Sequence, residues 1–223
     1  MADNTQINRR NLPRNTRANG VATRRRILDE ATALFASQGY EATSLRQISG
    51  ASSVDIATLK YHFGDKATLF AGVYQHGHQE FLARLNPLLN TMTRISTTLE
   101  VKALIRDLVA VAHDSLSLQN DFVRMVLFRI LEDSSDIHHL ENELQGIALG
   151  LLDEGFRGMI RRGLIRDVDV RALLALLITA IPMWYVTSEV KPTWLGSPPP
   201  LSDQGRERAE RFLCQLLEGY LLP

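Results

Sequence analysis

Apolar residues recur every three or four positions from Ile27 to the C-terminus, and no convincing stretch alternates between apolar and polar residues as a strand would. Ile27, Ala31, Leu34 and Phe35 show this helical spacing where the pattern begins. The pattern predicts an all-α protein of about nine helices. With 223 residues, 45% of them hydrophobic, the chain is long enough to bury a substantial core.

Capping residues, glycines and prolines give the expected helix boundaries. Thr23 is a possible N-cap and Gly39 a possible stop for the first helix. Thr43 can cap a short second helix, and Asp55 can cap a third helix over Ile56–Phe63. Asp65 can cap a fourth helix that ends near Pro87. Five further helices are predicted over residues 98–118, 121–131, 137–162, 170–188 and 202–222. Residues 191–200 contain three consecutive prolines, which cannot continue a helix, and are predicted to be a loop.

Charge is unevenly distributed, although the whole chain balances 25 basic against 25 acidic residues. Residues 1–26 contain seven arginines and one acidic residue, a net charge of +6, so the remainder carries −6. A basic end of this kind is typical of a protein that presents one end to a polyanion. Residues 1–22 lack an apolar period, and we expect a flexible basic arm there. This arm either contacts DNA or is a solvated tail.

Several protein classes are disfavoured by composition. The single cysteine, Cys214, excludes an intramolecular disulfide framework. The most apolar stretch, residues 172–186, is shorter than a membrane span and contains Pro182, so we expect no membrane segment. No apolar segment of a secretory signal follows the N-terminal arginines. These features predict a cytoplasmic protein.

Three predicted helices within residues 23–63 have the general pattern of a DNA-binding helix-turn-helix. A more specific signal is the combined sequence of residues 43–48 and 54–66, followed by Leu69 and Phe70. This sequence resembles the TetR family of bacterial transcription regulators over residues 23–70. The resemblance implies a DNA-binding domain over residues 23–70, with helix four continuing to about residue 86, and a helical ligand-binding and dimerisation domain over residues 87–223.

Three positions depart from the commonest form of that family. Where the family usually has a glycine in the turn, this chain has Ser53. Asp55 replaces the usual serine cap, and Lys60 replaces the usual tyrosine. Aspartate caps a helix as well as serine does. A serine at a turn position that requires positive φ costs about 1 kcal/mol, which a packed three-helix unit can absorb. These departures concern the DNA sequence recognised and leave the fold unchanged.

The predicted recognition helix offers Ala57, Thr58 and Lys60 to base edges in the major groove. Residues at the starts of helices two and four favour phosphate, because hydroxyl and backbone N–H groups are exposed there. By resemblance, Tyr61 and His62 also contact the DNA backbone, the alternative being that they pack against helices one and four. The predicted DNA-binding residues are Thr43, Ser44, Arg46, Asp55, Ala57, Thr58, Lys60, Tyr61, His62 and Lys66.

The last two predicted helices carry more apolar surface than one helix face can bury. Residues 170–188 are apolar around most of their circumference, and residues 211–217 continue an apolar pattern. Such helices bury both faces, either inside one subunit or against a second copy. The resemblance places a homodimer interface on these two helices.

An effector cavity is expected to be mostly apolar with a few polar groups. Ordinary core packing is the alternative for every candidate. The predicted ligand is small and largely apolar or aromatic, with an anionic group if Arg129 or His113 takes part. The candidate ligand-binding residues are His113, Phe122, Met125, Phe128, Arg129, Met159, Met183, Trp184 and Tyr185.

Catalytic chemistry is not indicated. His76 and His78 lie two positions apart and point to different faces of a helix, which makes a poor metal pair. No acid–base motif or glycine-rich phosphate loop is present, so we predict no metal, cofactor or enzymatic activity. The sequence therefore predicts a homodimeric, ligand-responsive repressor of a near-palindromic double-stranded DNA operator. A transcriptional activator of the same fold, a helical scaffold protein without specific DNA binding, and an enzyme built on a helical bundle are the alternatives.

Overall fold

The computed structural model describes residues 14–131, 138–190 and 198–223. Within these ranges every regular element is an α-helix, which confirms the predicted all-α class. The nine helices are α1 Arg14–Ala42, α2 Leu45–Ala51, α3 Ile56–Phe63, α4 Lys66–Met92, α5 Thr98–Leu118, α6 Asn120–Leu131, α7 His138–Arg161, α8 Val170–Val190 and α9 Asp203–Leu221.

Side-chain caps explain where most of these helices begin. Asp55 and Asp65 each accept a hydrogen bond from the backbone N–H three residues further on, as predicted. The prediction that Thr43 caps α2 was wrong, because Ser44 occupies that position. Ser44 and Gln47 form a capping box in which each side chain bonds the backbone of the other.

Helix α1 begins at Arg14, well before the predicted start at Thr23. Residues 14–22 therefore do not form part of a flexible arm. A polar segment can extend a helix that tertiary packing already holds, because propagation avoids the cost of nucleation. Residues 1–13 of the predicted arm lie outside the described residues. At its other end the helix is interrupted at Gly39, where φ is 79°, as the glycine signal predicted.

The two larger hydrophobic cores of the described residues share helix α4, and a smaller third cluster surrounds Leu116, Tyr185 and Ala209. The first joins α1, α2, α3 and the beginning of α4, with Met125 of α6 added from the side. The second joins the end of α4 to α5, α7, α8 and α9. Helix α4 therefore belongs to both cores, and α6 packs extensively on α1.

The sequence predicted that helix α4 ends near Pro87, but the helix continues to Met92. Pro87 is exposed, so water can bond the carbonyl that lacks a partner one turn earlier. Beyond the helix end, the Arg162 guanidinium donates hydrogen bonds to the carbonyls of Met92, Thr93 and Ile95 at 2.8, 3.0 and 2.8 Å. Arg162 thus fixes the end of α4 to the end of α7.

Helix α8 contradicts the expectation that no apolar stretch reaches membrane-spanning length. Residues Val170–Thr187 have the length and composition to cross a membrane, and only 22% of the stretch is buried within the chain. Length and composition alone do not distinguish a membrane span from a helix that buries its apolar surface against protein. Helix α8 therefore exposes an unusually apolar face. The predicted break over residues 191–200 lies partly outside the described residues.

Candidate nucleic-acid interface

The turn between α2 and α3 is fixed by serine hydroxyl groups. Ser52 Oγ donates to the Ile48 carbonyl at 2.7 Å, and Ser49 Oγ donates to the Val54 carbonyl at 2.6 Å. Ser53 has φ 50° and is the sole non-glycine with positive φ in the described part of the chain. The expected strain at Ser53 is therefore present, and the neighbouring hydroxyl bonds hold the turn in that conformation.

Helix α3 has one buried face and one exposed face. Leu59 and Phe63 are buried in the first core, while Ala57, Lys60 and Tyr61 are exposed on the other side. Tyr61 is 86% exposed, so the alternative that it packs against helices one and four was wrong. His62 is half-buried, and its ring lies 5.5 Å from that of Tyr61.

Thr43 is unavailable to phosphate, because it is buried and hydrogen-bonded inside the first core. Its hydroxyl donates to the Gly39 carbonyl at 2.7 Å and accepts from Gln38 Nε2 at 3.1 Å. Only 1% of its surface is exposed. The predicted phosphate contact at Thr43 is therefore withdrawn, whereas Ser44 is exposed at the start of α2.

Asp55 and Thr58 form the N-terminal cap of α3. The Asp55 carboxylate accepts from the Thr58 backbone N–H at 2.8 Å and from the Thr58 hydroxyl at 2.7 Å. The pKa of Asp55 is lowered, because the Thr58 hydroxyl and then its N–H stabilise the ionised form. Both side chains thus orient the recognition helix and have less freedom to bond a base.

Lys66 links the start of α4 to the end of α1. Its ammonium donates to the Tyr40 carbonyl at 3.0 Å and the Glu41 carbonyl at 3.5 Å, and it lies 4.2 Å from the centre of the Tyr40 ring. These bonds use two of the three donors of the ammonium. The main structural role of Lys66 is therefore to hold the start of α4 against the end of α1.

Basic residues of α1 extend the exposed face of α3. The Arg24 guanidinium lies 4.9 Å from the centre of the Phe63 ring, at the end of the recognition helix. In the sequence, Arg24 was notable only for its contribution to the net charge, and nothing predicted its position beside α3. We call the exposed residues Arg24 of α1, Ser44 and Arg46 at the start of α2, and Ala57, Lys60 and Tyr61 of α3 together the reading surface.

A separate cavity of about 260 Å³ lies within the second core, among α4, α5, α6, α7, α8 and α9. Its wall is almost entirely aliphatic and aromatic, and Ser115 and Gln119 are the polar side chains that line it. The nine candidate ligand-binding residues are absent from this wall. This wall has the mostly apolar character expected of an effector cavity, but it is formed by side chains other than the nine candidates.

The nine candidates lie elsewhere for identifiable reasons. Met125 belongs to the first core, Met159 is fully buried in the second, and Arg129 is buried beside the Phe70 ring. Phe128 and Met183 are exposed. Helical periodicity identifies faces, but it does not give the rotation of one helix against its neighbours.

The remaining candidates make contacts between helices. His113 Nδ1 and the Tyr185 hydroxyl share a 2.9 Å hydrogen bond, and the Tyr185 ring also contacts Trp184. Burial lowers the pKa of His113 and raises the pKa of Tyr185 to about 12, so both are neutral near pH 7. Phe122 packs against α4 at Gly77, beside a polar groove of about 380 Å³ between α1, α4 and the α5–α6 corner.

Comparison with known proteins finds similarity to one family in the N-terminal segment. Residues 27–73 match the model described as bacterial regulatory proteins, tetR family. The chain is 38% identical over 64 residues to the transcriptional regulator AcrR of Shigella flexneri, covering 29% of this chain and 30% of that protein. It is 24% identical over 120 residues to the probable regulator YttP of Bacillus subtilis, covering 54% of this chain and 56% of that protein. Both matches span less than two thirds of the relatives' lengths.

Solved structures resemble the chain over most of its length. The regulator FadR of Bacillus subtilis, solved with stearoyl-CoA, has a TM-score of 0.66 at 18% identity and covers 86% of this chain and 96% of its own. The TetR family regulator PfmR of Thermus thermophilus has a TM-score of 0.65 at 23% identity and covers 86% and 94%. These identities show a shared fold. Residues 27–73 thus match the tetR family model, and the chain as a whole shares the fold of solved TetR family regulators.

Proposed function

We propose that the chain is a ligand-responsive transcriptional repressor that binds a near-palindromic DNA operator as a homodimer in the cytoplasm. The observation that carries this proposal is the reading surface, where Lys60 and Tyr61 project from a helix anchored by buried Leu59 and Phe63. A helix held in this way can enter the major groove without losing its packing. Residues from about 87 onward form the ligand-binding and dimerisation part of this proposal.

Lys60 and Arg24 have different roles in the proposed complex. Lys60 lies at the centre of the exposed face of α3, from which a lysine reaches the acceptor atoms of guanine. Arg24 lies at the edge of the reading surface and favours phosphate, which adds affinity without sequence preference. The arginines of residues 1–13 would add further sequence-independent affinity.

The test uses operator fragments selected from the host genome and measures their affinity by fluorescence anisotropy. If Lys60 reads a base, Lys60→Ala weakens binding about 5- to 150-fold at one operator position, corresponding to about 1–3 kcal/mol. Lys102→Ala removes the same charge from the remote surface of α5 and is the control. A scaffold protein would retain all fragments weakly and alike, and that result would reject the proposal.

The proposed dimer uses the exposed apolar faces of α8 and α9. On α9, Phe212, Leu216 and Tyr220 follow at intervals of four residues and are 53%, 48% and 44% exposed. On α8, Leu176 is 56% exposed. The Trp184 and Phe212 rings lie 6.0 Å apart and connect the two faces. A second copy of the chain presents the same stripe and would cover it symmetrically.

The dimer is tested with a charge placed in this stripe. Leu216→Glu is expected to shift the sedimentation equilibrium to monomer and to weaken operator binding at least tenfold, because a buried unpaired carboxylate is costly. Leu99→Glu is the matched control, since Leu99 is 74% exposed in the first turn of α5. A Leu216→Glu protein that remains dimeric would contradict the assigned interface.

The cavity of the second core is the proposed effector site. We call α1, α2, α3 and the start of α4, which share the first core, the reading unit. The cavity is bordered by α4 and α6, and both helices also pack on α1 of this unit. A ligand that favours another arrangement of these helices would change the spacing of the two recognition helices in the dimer. Structures of similar fold were solved with stearoyl-CoA and with choline, so fold likeness alone does not select the ligand.

A further inference from the structure

Ser115 is the one buried hydroxyl of the cavity wall without a hydrogen-bond partner in the described part of the chain. It lies on α5 and is 5% exposed, and its Oγ atom makes no hydrogen bond. Serine hydroxyls in helices commonly bond the carbonyl one turn earlier, which would have satisfied this group locally. A buried hydroxyl left unpaired costs about 1–3 kcal/mol, so its presence in an apolar wall requires an explanation.

The rest of the wall offers no substitute partner. Gln119 is the other polar side chain that lines the cavity, and its amide nitrogen donates to Glu80 Oε2 at 2.8 Å and to the Gly77 carbonyl at 3.3 Å. Its N–H groups are therefore directed to α4. No arginine, lysine, histidine or acidic residue lines the described wall. A charged group would lose its hydration there without gaining a counterion.

We infer that the effector is an uncharged, largely aliphatic molecule whose single hydroxyl or carbonyl group hydrogen-bonds Ser115 Oγ. This inference rests on the proposed function of the cavity and specifies its ligand. It replaces the expectation of an anionic group near Arg129 or His113, because neither residue lines the wall. Since an apolar cavity of about 150 Å³ holds benzene, about 260 Å³ suits a ligand of roughly ten non-hydrogen atoms.

The experiment measures binding of three probes to the full chain by isothermal titration calorimetry at pH 7. Decan-1-ol, decanoate and decylammonium share one chain length and differ in the charge of the end group. Decan-1-ol is expected to bind at least 100-fold more tightly than either ion. Equal or tighter binding of decanoate or decylammonium would overturn the inference, as would the absence of decan-1-ol binding.

The Ser115→Ala variant tests the assigned contact. It is expected to weaken decan-1-ol binding about three- to tenfold, the effect of one neutral hydrogen bond. Ser117→Ala, which removes an exposed hydroxyl from the same helix, should leave this affinity unchanged. Ligand-free Ser115→Ala should melt no lower than the wild type, because the lost hydroxyl has no partner. Unchanged decan-1-ol affinity in Ser115→Ala would refute the contact.

Operator affinity distinguishes this inference from the proposed function. If decan-1-ol binds through Ser115 and releases operator DNA, the result supports both the inferred ligand class and the proposed function. Binding through Ser115 with unchanged operator affinity supports the ligand class and contradicts the ligand-responsive part of the proposed function.

Discussion

Replacement of Gly77 by alanine should disturb the contact between α4 and α6. Gly77 is buried in α4, and the Phe122 ring of α6 lies directly over it. A Cβ atom at this position would lie 2.6 Å from Phe122 Cγ and closer still to two other ring atoms. Ordinary contact begins at 3.4 Å, so the ring has to move by about 1 Å. Because the clash involves Cγ, which lies on the χ2 axis, rotation of the ring about χ2 does not relieve it.

Two opposing effects set the size of the change. Alanine stabilises a helix interior by about 1 kcal/mol relative to glycine. Overpacking of a filled contact costs about 1–3 kcal/mol. Displacement of Phe122 also weakens its ring contacts with Tyr74 and His78, whose centres lie 5.9 and 5.7 Å away. We expect Gly77→Ala to lower the free energy of unfolding by about 1–2 kcal/mol.

Urea unfolding followed by circular dichroism measures this change. Gly150→Ala is the matched control, because Gly150 is exposed within α7 and a Cβ there meets no atom within 4 Å. This control should raise the free energy of unfolding by up to about 1 kcal/mol. Phe122→Leu should suppress most of the cost of Gly77→Ala in the double variant. An increase in stability for Gly77→Ala equal to that of Gly150→Ala would refute the reasoning.

Three further predictions concern local interactions. Arg162→Met should lower the free energy of unfolding by about 2 kcal/mol in urea titrations, because three carbonyls at the end of α4 lose charge-assisted hydrogen bonds. Ser53→Gly should raise it by up to about 1 kcal/mol, because glycine adopts a φ of 50° without strain, and unchanged stability would contradict this. Burial lowers the pKa of His78 from 6.5, so His78 should not change stability with pH above that value and should contribute to a fall in stability below it, where the unfolded chain binds more protons. His78→Phe should make that fall shallower, and an identical pH profile would exclude a contribution from His78.

Local chemistry explains which boundaries could be predicted from the sequence. Asp55 and Asp65 cap their helices through hydrogen bonds that span three residues, so the necessary information lies within one turn. Gly39 and Ser53 adopt positive φ where turn chemistry indicated it. Thr43 was misassigned although the sequence favoured Ser44, which is followed three residues later by Gln47 as in a capping box. Their roles are separated by the packing of α2 against α1, which buries only Thr43.

The wall of the proposed effector site could not be predicted residue by residue, for a physical reason. Its wall combines side chains of six helices, and membership depends on how each helix is rotated toward the others. Tyr185 and Ser115 illustrate this, since the large aromatic residue pairs with His113 while the small serine lines the cavity. That the Ser115 hydroxyl lacks a hydrogen-bond partner can be recognised only from the positions of all neighbouring atoms.

The packing of the reading unit limits how a ligand in the second core can act on DNA. Helices α2 and α3 make their principal contacts with each other, with α1 and with α4, so α3 moves as part of a unit held by the first core. The cavity borders α4 directly and borders α6, which packs on α1. Displacement of either helix therefore moves the reading unit as a whole without reshaping its surface. Ligand binding is accordingly expected to change operator affinity through the spacing of two intact recognition helices, with the base preference of Lys60 unaltered.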